Sequence, residues 1–182
     1  MPAARSARMR PRTICLHGPE STGKSTIAPR LAARYAGVVQ DEYGREYAET
    51  VGIDFTMADL VAIGVEHDRI TQQLLGDGAD PLILDTDPLM TAVWADMLFE
   101  CRDPWFDAWE RTAEFYLLFD IDLPWIEDGT RMFGTAELRQ KFFDLSRAEL
   151  ERRGVPWALV SGRDEARLAN AIAAIEGHFG GS

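Results

Sequence analysis

Cysteine and basic side chains are scarce in this chain of 182 residues. Its two cysteines, Cys15 and Cys101, are too few for a disulfide scaffold and suit a reducing compartment, where each would be a small buried apolar side chain. Lysine and arginine number 19 against 30 acids, a formal net charge of −11. That balance argues against a surface that neutralises nucleic-acid phosphates. It does not exclude nucleotides, because backbone amides and a few cations can hold small phosphates.

Long apolar runs, internal repeats, low-complexity tracts and long linkers are also absent from the sequence. No run approaches the ~20 residues that span a bilayer, so we expect no membrane partner and a cytoplasmic protein. Residues 1–12 carry four arginines and no acid. We expect a disordered basic tail there, with a targeting peptide as the alternative, and a single folded domain over residues 13–182.

Short apolar runs alternate with helical patterns along the chain. The runs predict strands at residues 13–17, 37–40, 82–84, 115–119 and 157–160. The patterns between them predict helices at residues 24–35, 45–50, 56–75, from 88 onward, at 137–153 and at 164–176. Such alternation indicates an α/β fold with three α/β/α layers around a five-stranded, mainly parallel sheet.

A glycine-rich segment directly follows the first predicted strand. Residues 18–25 match GxxxxGK[ST] at every fixed position, which predicts a phosphate loop. Its amides and the next helix N-terminus form an anion site. We expect Lys24 to reach the β- and γ-phosphates of ATP and Ser25 to bind Mg²⁺. A chance glycine-rich turn is the alternative. The predicted nucleotide contacts are Gly18, Glu20, Ser21, Thr22, Gly23, Lys24, Ser25 and Thr26.

Acidic residues follow three predicted strands, at positions 41–42, 85–87 and 120–122. In a doubly wound sheet, ligands bind outside the carboxyl ends of the strands. The run Leu82-Ile83-Leu84-Asp85 has the form of a Walker B strand, so we expect Asp85 to hold the Mg²⁺ water shell. The alternative is a cap on the following helix.

Two of these acids compete for the role of general base. Glu42, after the second predicted strand, is positioned to take a proton from an acceptor hydroxyl. Its alternative role is a local ion pair with Arg45. Asp87 competes with Glu42 for the same hydroxyl, and the sequence does not separate them.

The segment after the fourth predicted strand lacks any regular pattern. It carries a tryptophan, several acids and Arg131, which is typical of a lid over an active site. We expect Arg131 to clamp the transferring phosphoryl group, with a solvated surface arginine as the alternative.

Together, four motifs resemble the nicotinamide riboside kinase domain of NadR-type proteins, within the P-loop kinases. They are GPESTGKST at 18–26, EYGREY at 42–47, LDTD at 84–87 and LPWIEDGTR at 123–131, and the likeness extends over residues 12–175. The resemblance implies ATP-dependent phosphorylation of a riboside 5′-hydroxyl, with Mg²⁺ as cofactor. It also implies a parallel sheet with the phosphate-loop strand at its centre.

An acceptor with a flat cationic ring would need aromatic faces around it. The candidates are Tyr43, Trp94 and Trp125, and Arg45 is a further predicted acceptor contact. Trp105, Trp109 and Trp157 are expected in the core or at its edge. The histidines His17, His67 and His178 show no metal-binding spacing and are expected to be structural or exposed.

Two alternatives to a nicotinamide riboside kinase stay open from the sequence. One is a kinase for another nucleoside or nucleotide, with the same fold and phosphate chemistry. The other is a regulatory nucleotide-binding ATPase, whose hallmark would be slow ATP hydrolysis that is insensitive to any riboside. Oligomeric state is not predicted.

Overall fold

A computed structural model describes residues 12–127 and 129–180. The chain alternates strands and helices, as the sequence predicts. The strands are β1 Thr13–His17, β2 Val38–Gln40, β3 Leu82–Asp85, β4 Phe115–Phe119 and β5 Trp157–Val160. The helices are α1 Lys24–Tyr35, α2 Tyr43–Val51, α3 Met57–Gly76, α4 Pro88–Phe99, α5 Pro104–Ala108, α6 Ala136–Arg153 and α7 Asp164–Phe179.

All five strands form one parallel sheet in the order β2-β3-β1-β4-β5. The β1 strand therefore lies at the centre, as predicted. In register, Leu16 of β1 lies beside Asp85 of β3 and Leu117 of β4. The carboxyl ends of these strands meet at one edge, where the phosphate loop leaves β1. This edge carries the candidate site.

Strand side chains alternate between two apolar layers, which makes the three-layer architecture. Ile14, Leu16 and Phe119 face the layer of α1 and α7, while Cys15 and Leu118 face the opposite layer. Nearly every strand residue of β1, β3 and β4 is buried, because helices cover both faces. This predicted α/β/α fold is confirmed.

Local differences from the predictions have simple causes. Helix α1 has the predicted bounds and continues through Pro29, because the residues around it pack on the sheet. Helix α5 was not predicted, although Asp103 caps it by accepting a hydrogen bond from the Trp105 amide. Cys101 is exposed, so the expectation that both cysteines are buried is wrong for this residue.

The predicted basic tail lies outside the described residues, except for Arg12, which pairs with Asp80. Trp109 is buried, and Trp105 and Trp157 are partly buried against the same cluster, as expected. Among the described helices, none combines the length and the apolar character that spanning a bilayer requires.

Candidate active site

The phosphate loop needs glycine at two positions for different geometric reasons. Gly18 has a φ of +124°, and a Cβ there would lie 2.9 Å from the carbonyl oxygen of Phe119 on β4. Gly23 has a φ of +86° at the N-cap of α1, in the left-handed region that side chains disfavour. The loop can therefore curl tightly against the sheet only with glycine at these positions.

Lys24 is almost completely buried inside this loop. Its Nζ donates hydrogen bonds to the carbonyl oxygens of Gly18 at 2.8 Å and Pro19 at 2.7 Å. Burial lowers the pKa of Lys24, while the charges of Glu42 and Asp85 act in the opposite direction. The ammonium thus lies among the backbone groups that would surround a phosphate chain.

Ser25 and Asp85 form a pair suited to a magnesium ion. The Ser25 hydroxyl donates a 2.6 Å hydrogen bond to Oδ2 of Asp85. Within residues 12–127 and 129–180, Oδ1 of Asp85 is buried without a hydrogen-bond partner. A hydroxyl beside a carboxylate with an unpaired oxygen fits Mg²⁺. This ion usually has only one or two protein ligands, and water and phosphate oxygens complete its coordination. No cluster of three or more His, Cys, Asp or Glu suited to a metal occurs in the described part of the chain.

Glu42 occupies the N-cap position of α2, but its side chain makes no capping hydrogen bond. It lines the same cavity as the phosphate loop. Burial raises the pKa of Glu42 to about 7, and the charge of Asp85 adds to the increase. Lys24 and Arg45 act in the opposite direction. A carboxyl with a pKa near 7 can exchange protons at neutral pH, as a general base must.

Asp87 is turned away from this cavity. Its Oδ1 accepts a hydrogen bond from the Leu89 amide at 3.0 Å, and its Oδ2 accepts one from the Tyr116 hydroxyl at 2.5 Å. Burial raises the pKa of Asp87 to about 6, against these hydrogen bonds. Asp87 caps α4 and is absent from the lining of the cavity. The structure therefore does not bring Asp87 to the cavity that Glu42 lines.

An apolar and aromatic chamber continues the cavity beyond Glu42. Helices α2, α3 and α4 supply its walls, together with the turn before α3. The lining side chains there are Ala48, Phe55, Leu60, Ile63, Met90, Thr91 and Trp94. Trp94 contacts Phe55 edge-to-face, with 6.3 Å between ring centroids. Such a chamber can hold a flat ring beside the phosphate loop.

The three aromatic residues predicted to contact the acceptor lie in three different places. Trp94 lines the chamber, and Tyr43 lines an adjoining cleft beside Glu42 and Asp85. Trp125 lines neither and packs on Gly134, where a Cβ would come within 3.0 Å of the indole. Trp125 is therefore a packing residue of its own segment, and the prediction that it contacts the acceptor finds no support in its position.

The segment between β4 and α6 contains no helix or strand in its described residues and is bonded to the phosphate loop. Ser21 Oγ donates to the Ile126 carbonyl at 3.2 Å and accepts from the Ile126 amide at 3.0 Å. The Glu20 carboxylate accepts from the Met132 amide at 3.1 Å and the Phe133 amide at 3.3 Å. Burial raises the pKa of Glu20, against these hydrogen bonds.

Arg131 lies between these two attachments and lines the cavity together with Lys24 and Arg45. Its guanidinium donates to the Ile126 carbonyl. The phosphate loop therefore positions Arg131 through the backbone of the segment that carries it. Within the motif at residues 123–131, Asp128 lies outside the described residues.

Two residues near this site were not predicted to take part in it. Arg167 of α7 is buried beside Gly23 of the phosphate loop and donates to the carbonyl of Val160 at 2.9 Å and to the carboxylate of Asp122. Burial lowers the pKa of Arg167. His67, which was expected to be structural or exposed, follows Leu60 and Ile63 at helical spacing and lines the cavity. The available signal was a polar residue in an apolar stripe.

Comparisons with known proteins agree with this architecture. Residues 13–167 match a family model described as an AAA domain. The NadR trifunctional NAD biosynthesis and regulator protein of Escherichia coli is 26% identical over 161 residues, which cover 84% of this chain and 39% of NadR. The chain thus spans well under half the length of this curated relative.

Solved structures share the fold. A NadR protein in complex with NR superposes with a TM-score of 0.79 at 23% identity, over 95% of this chain and 53% of that one. Thymidylate kinase from Ehrlichia chaffeensis superposes with a TM-score of 0.65 at 12% identity, over 93% of this chain and 100% of that one. Because the family model covers most of its residues, this chain belongs to the AAA domain family.

Proposed function

We propose that this protein is a small-molecule kinase that transfers the γ-phosphoryl group of ATP to the 5′-hydroxyl of nicotinamide riboside. The products are nicotinamide mononucleotide and ADP. The observation that carries the proposal is the position of Glu42. Its carboxyl lines one cavity between the phosphate loop, which suits a triphosphate, and the aromatic chamber, which suits a flat ring. A hydroxyl held between them would meet both a phosphoryl donor and a base.

The reaction follows from this arrangement. Glu42 accepts the proton of the acceptor hydroxyl, the hydroxyl oxygen bonds to the γ-phosphorus, and the bond to the β-phosphate oxygen breaks to release ADP. Lys24 and Arg131 supply positive charge to the phosphate oxygens, where electrostatic stabilisation dominates such transfers. Ser25 and Asp85 would hold Mg²⁺, which when bound neutralises charge on the phosphate oxygens.

Support for the riboside as acceptor is independent of the phosphate chemistry. The NadR relatives are named for NAD biosynthesis, and one was solved in complex with NR. The chamber adds apolar walls, the indole of Trp94 and the nearby carboxyl of Glu42, a setting that suits a cationic pyridinium ring. Adenosine and uridine are neutral and would not gain from that carboxylate.

The test is ADP release by the purified protein with ATP and Mg²⁺ against a panel of nucleosides. We expect turnover with nicotinamide riboside and little with adenosine, uridine or thymidine. Turnover with one of those nucleosides alone would replace the proposed acceptor. ATP hydrolysis that no nucleoside changes would favour the regulatory ATPase. The Lys24→Ala variant is the matched background control for contaminating kinases.

A further inference from the structure

We propose that His67 is a specificity residue for the acceptor, whose neutral imidazole accepts a hydrogen bond from an uncharged donor group of the bound riboside. The donor is either the ring carboxamide or a ribose hydroxyl. This inference rests on the proposed function for the identity of the acceptor. It goes beyond that function because it assigns a polar contact inside a chamber whose other walls are mostly apolar.

The first observation is that His67 is buried at the cavity wall. Its side chain is 2% exposed, and it lines the same cavity as Glu42 and Ile63. Ile63 lies one helical turn before His67 on α3, so both side chains share the face that α3 presents to the chamber. Gly44 lies opposite, within reach of both Ile63 and Glu42. His67 and Glu42 therefore line one cavity, from helices that approach each other at Gly44 and Ile63.

The second observation is an unused hydrogen-bonding capacity. In the described part of the chain, Nε2 of His67 is buried without a hydrogen-bond partner. Buried polar atoms are rarely left unpaired, because each costs about 1–3 kcal/mol. The backbone of the same residue is fully used, since its carbonyl accepts hydrogen bonds from Gln40 Nε2 at 2.9 Å and Thr71 Oγ1 at 2.9 Å. The contact from Gln40 ties α3 to β2 at His67.

The charge state of the ring decides which ligand group it can bind. Burial lowers the pKa of His67 to about 4, and a hydrogen bond with the Asp41 backbone opposes this only in part. At neutral pH the ring is uncharged. A neutral imidazole that donates to Asp41 keeps a lone pair on its other nitrogen, which can accept but not donate. Such an atom favours an amide or hydroxyl donor and offers nothing to a carboxylate.

The test compares the kinetic constants of several substrate analogues for each protein. Because the ratio between two analogues is taken within the same variant, any effect of the substitution on folding cancels. KM and kcat are measured for wild type, His67→Phe and His67→Gln. The four acceptors are nicotinamide riboside, the corresponding carboxylate riboside, and the 2′- and 3′-deoxy forms of the amide. Gln retains an acceptor oxygen, whereas Phe retains only a planar apolar ring. The exposed neighbour Val65→Thr is the control on the other face of α3.

We expect His67→Phe to raise KM for nicotinamide riboside about 5- to 30-fold, with a smaller change in kcat and partial recovery in His67→Gln. For one analogue, the KM of wild type should exceed its KM for nicotinamide riboside by a similar factor. With His67→Phe, the same analogue should have almost the same KM as nicotinamide riboside. That analogue identifies the donor as the carboxamide or a particular hydroxyl. Equal losses with both proteins for every analogue would overturn the inference, as would an unchanged KM in His67→Phe.

Failure of the proposed function is recognised separately. If wild type phosphorylates another nucleoside instead, the acceptor assignment is wrong, and the same variants are compared with that nucleoside and its deoxy forms. The role of His67 is then judged by the same criterion. The melting temperature of each variant shows which KM values come from folded protein.

Discussion

Replacing Glu42 by glutamine is expected to make the protein more stable at alkaline pH while removing its activity. The carboxyl has a pKa of about 7 in the folded protein, against 4.5 for an ordinary glutamate, because burial and the charge of Asp85 disfavour ionisation. An elevated carboxyl pKa means that the folded state holds the proton more tightly than the unfolded state. The folded protein therefore loses stability as the pH rises from about 4.5 to about 7.

The size of this effect follows from the difference in pKa. The loss in the free energy of unfolding is at most about 3 kcal/mol, which is reached above pH 7. Below pH 4 there is no loss, because the carboxyl is protonated in both the folded and the unfolded state. Solvent access at the cavity reduces the value, so we expect about 1–3 kcal/mol at pH 8. For a domain of this size, 1 kcal/mol shifts the melting temperature by about 2–4 °C. Glu42→Gln should thus melt about 2–12 °C higher than wild type at pH 8.

The assay is thermal unfolding at pH 4.5 and pH 8 without nucleotide or Mg²⁺, together with kcat for the proposed acceptor. The exposed Glu49→Gln on the same helix is the matched control and should melt like wild type at both pH values. Glu42→Gln should also lose about 10²–10⁴ in kcat, the usual contribution of a general base. A variant that is less stable than wild type at pH 8, or one that keeps its kcat, refutes the reasoning.

Four further outcomes test other parts of the site. Lys24→Ala should lower kcat by orders of magnitude without unfolding the protein, as circular dichroism would check, and wild-type activity would disprove its role. Asp85→Asn should raise the Mg²⁺ concentration needed for half-maximal rate about tenfold or more; an unchanged Mg²⁺ titration would argue against the metal assignment. Glu20→Ala should speed amide exchange at residues 132–133 and lower kcat about tenfold, whereas unaltered exchange would show that the attachment is not needed. Asp87→Ala should cost about 2–4 kcal/mol of stability because it removes a helix cap and leaves the Tyr116 hydroxyl unpaired; a stable variant with the kcat loss of Glu42→Gln would instead make Asp87 the base.

The fold was predictable because its signals are local. Each strand is a short apolar run bounded by turn residues, and the capping pair Thr56 and Asp59 marks the start of α3. The five-residue helix α5 was missed because so short an element shows no periodicity. Its place depends on tertiary contact, since Gly64 of α3 allows Trp105 to approach so closely that a Cβ there would lie 2.7 Å from the indole.

The candidate site was predictable in part for the same reason. The phosphate loop and the pair of Ser25 and Asp85 follow from chain order, because parallel strands end at one edge. The direction of a side chain does not follow from its place at that edge. Asp87 and Trp125 occupy segments near the cavity, yet one turns inward to Tyr116 and the other packs on Gly134.

By itself, the sequence determined the α/β architecture, the central phosphate-loop strand and the kinds of groups that gather at its carboxyl end. Apolar periodicity and glycine conformations are properties of neighbouring residues, so they can be recognised in the chain. Only the tertiary structure decided which acid lines the cavity, and with what pKa. Glu42, Asp87 and His67 differ because burial and hydrogen-bond partners come from elements distant in sequence.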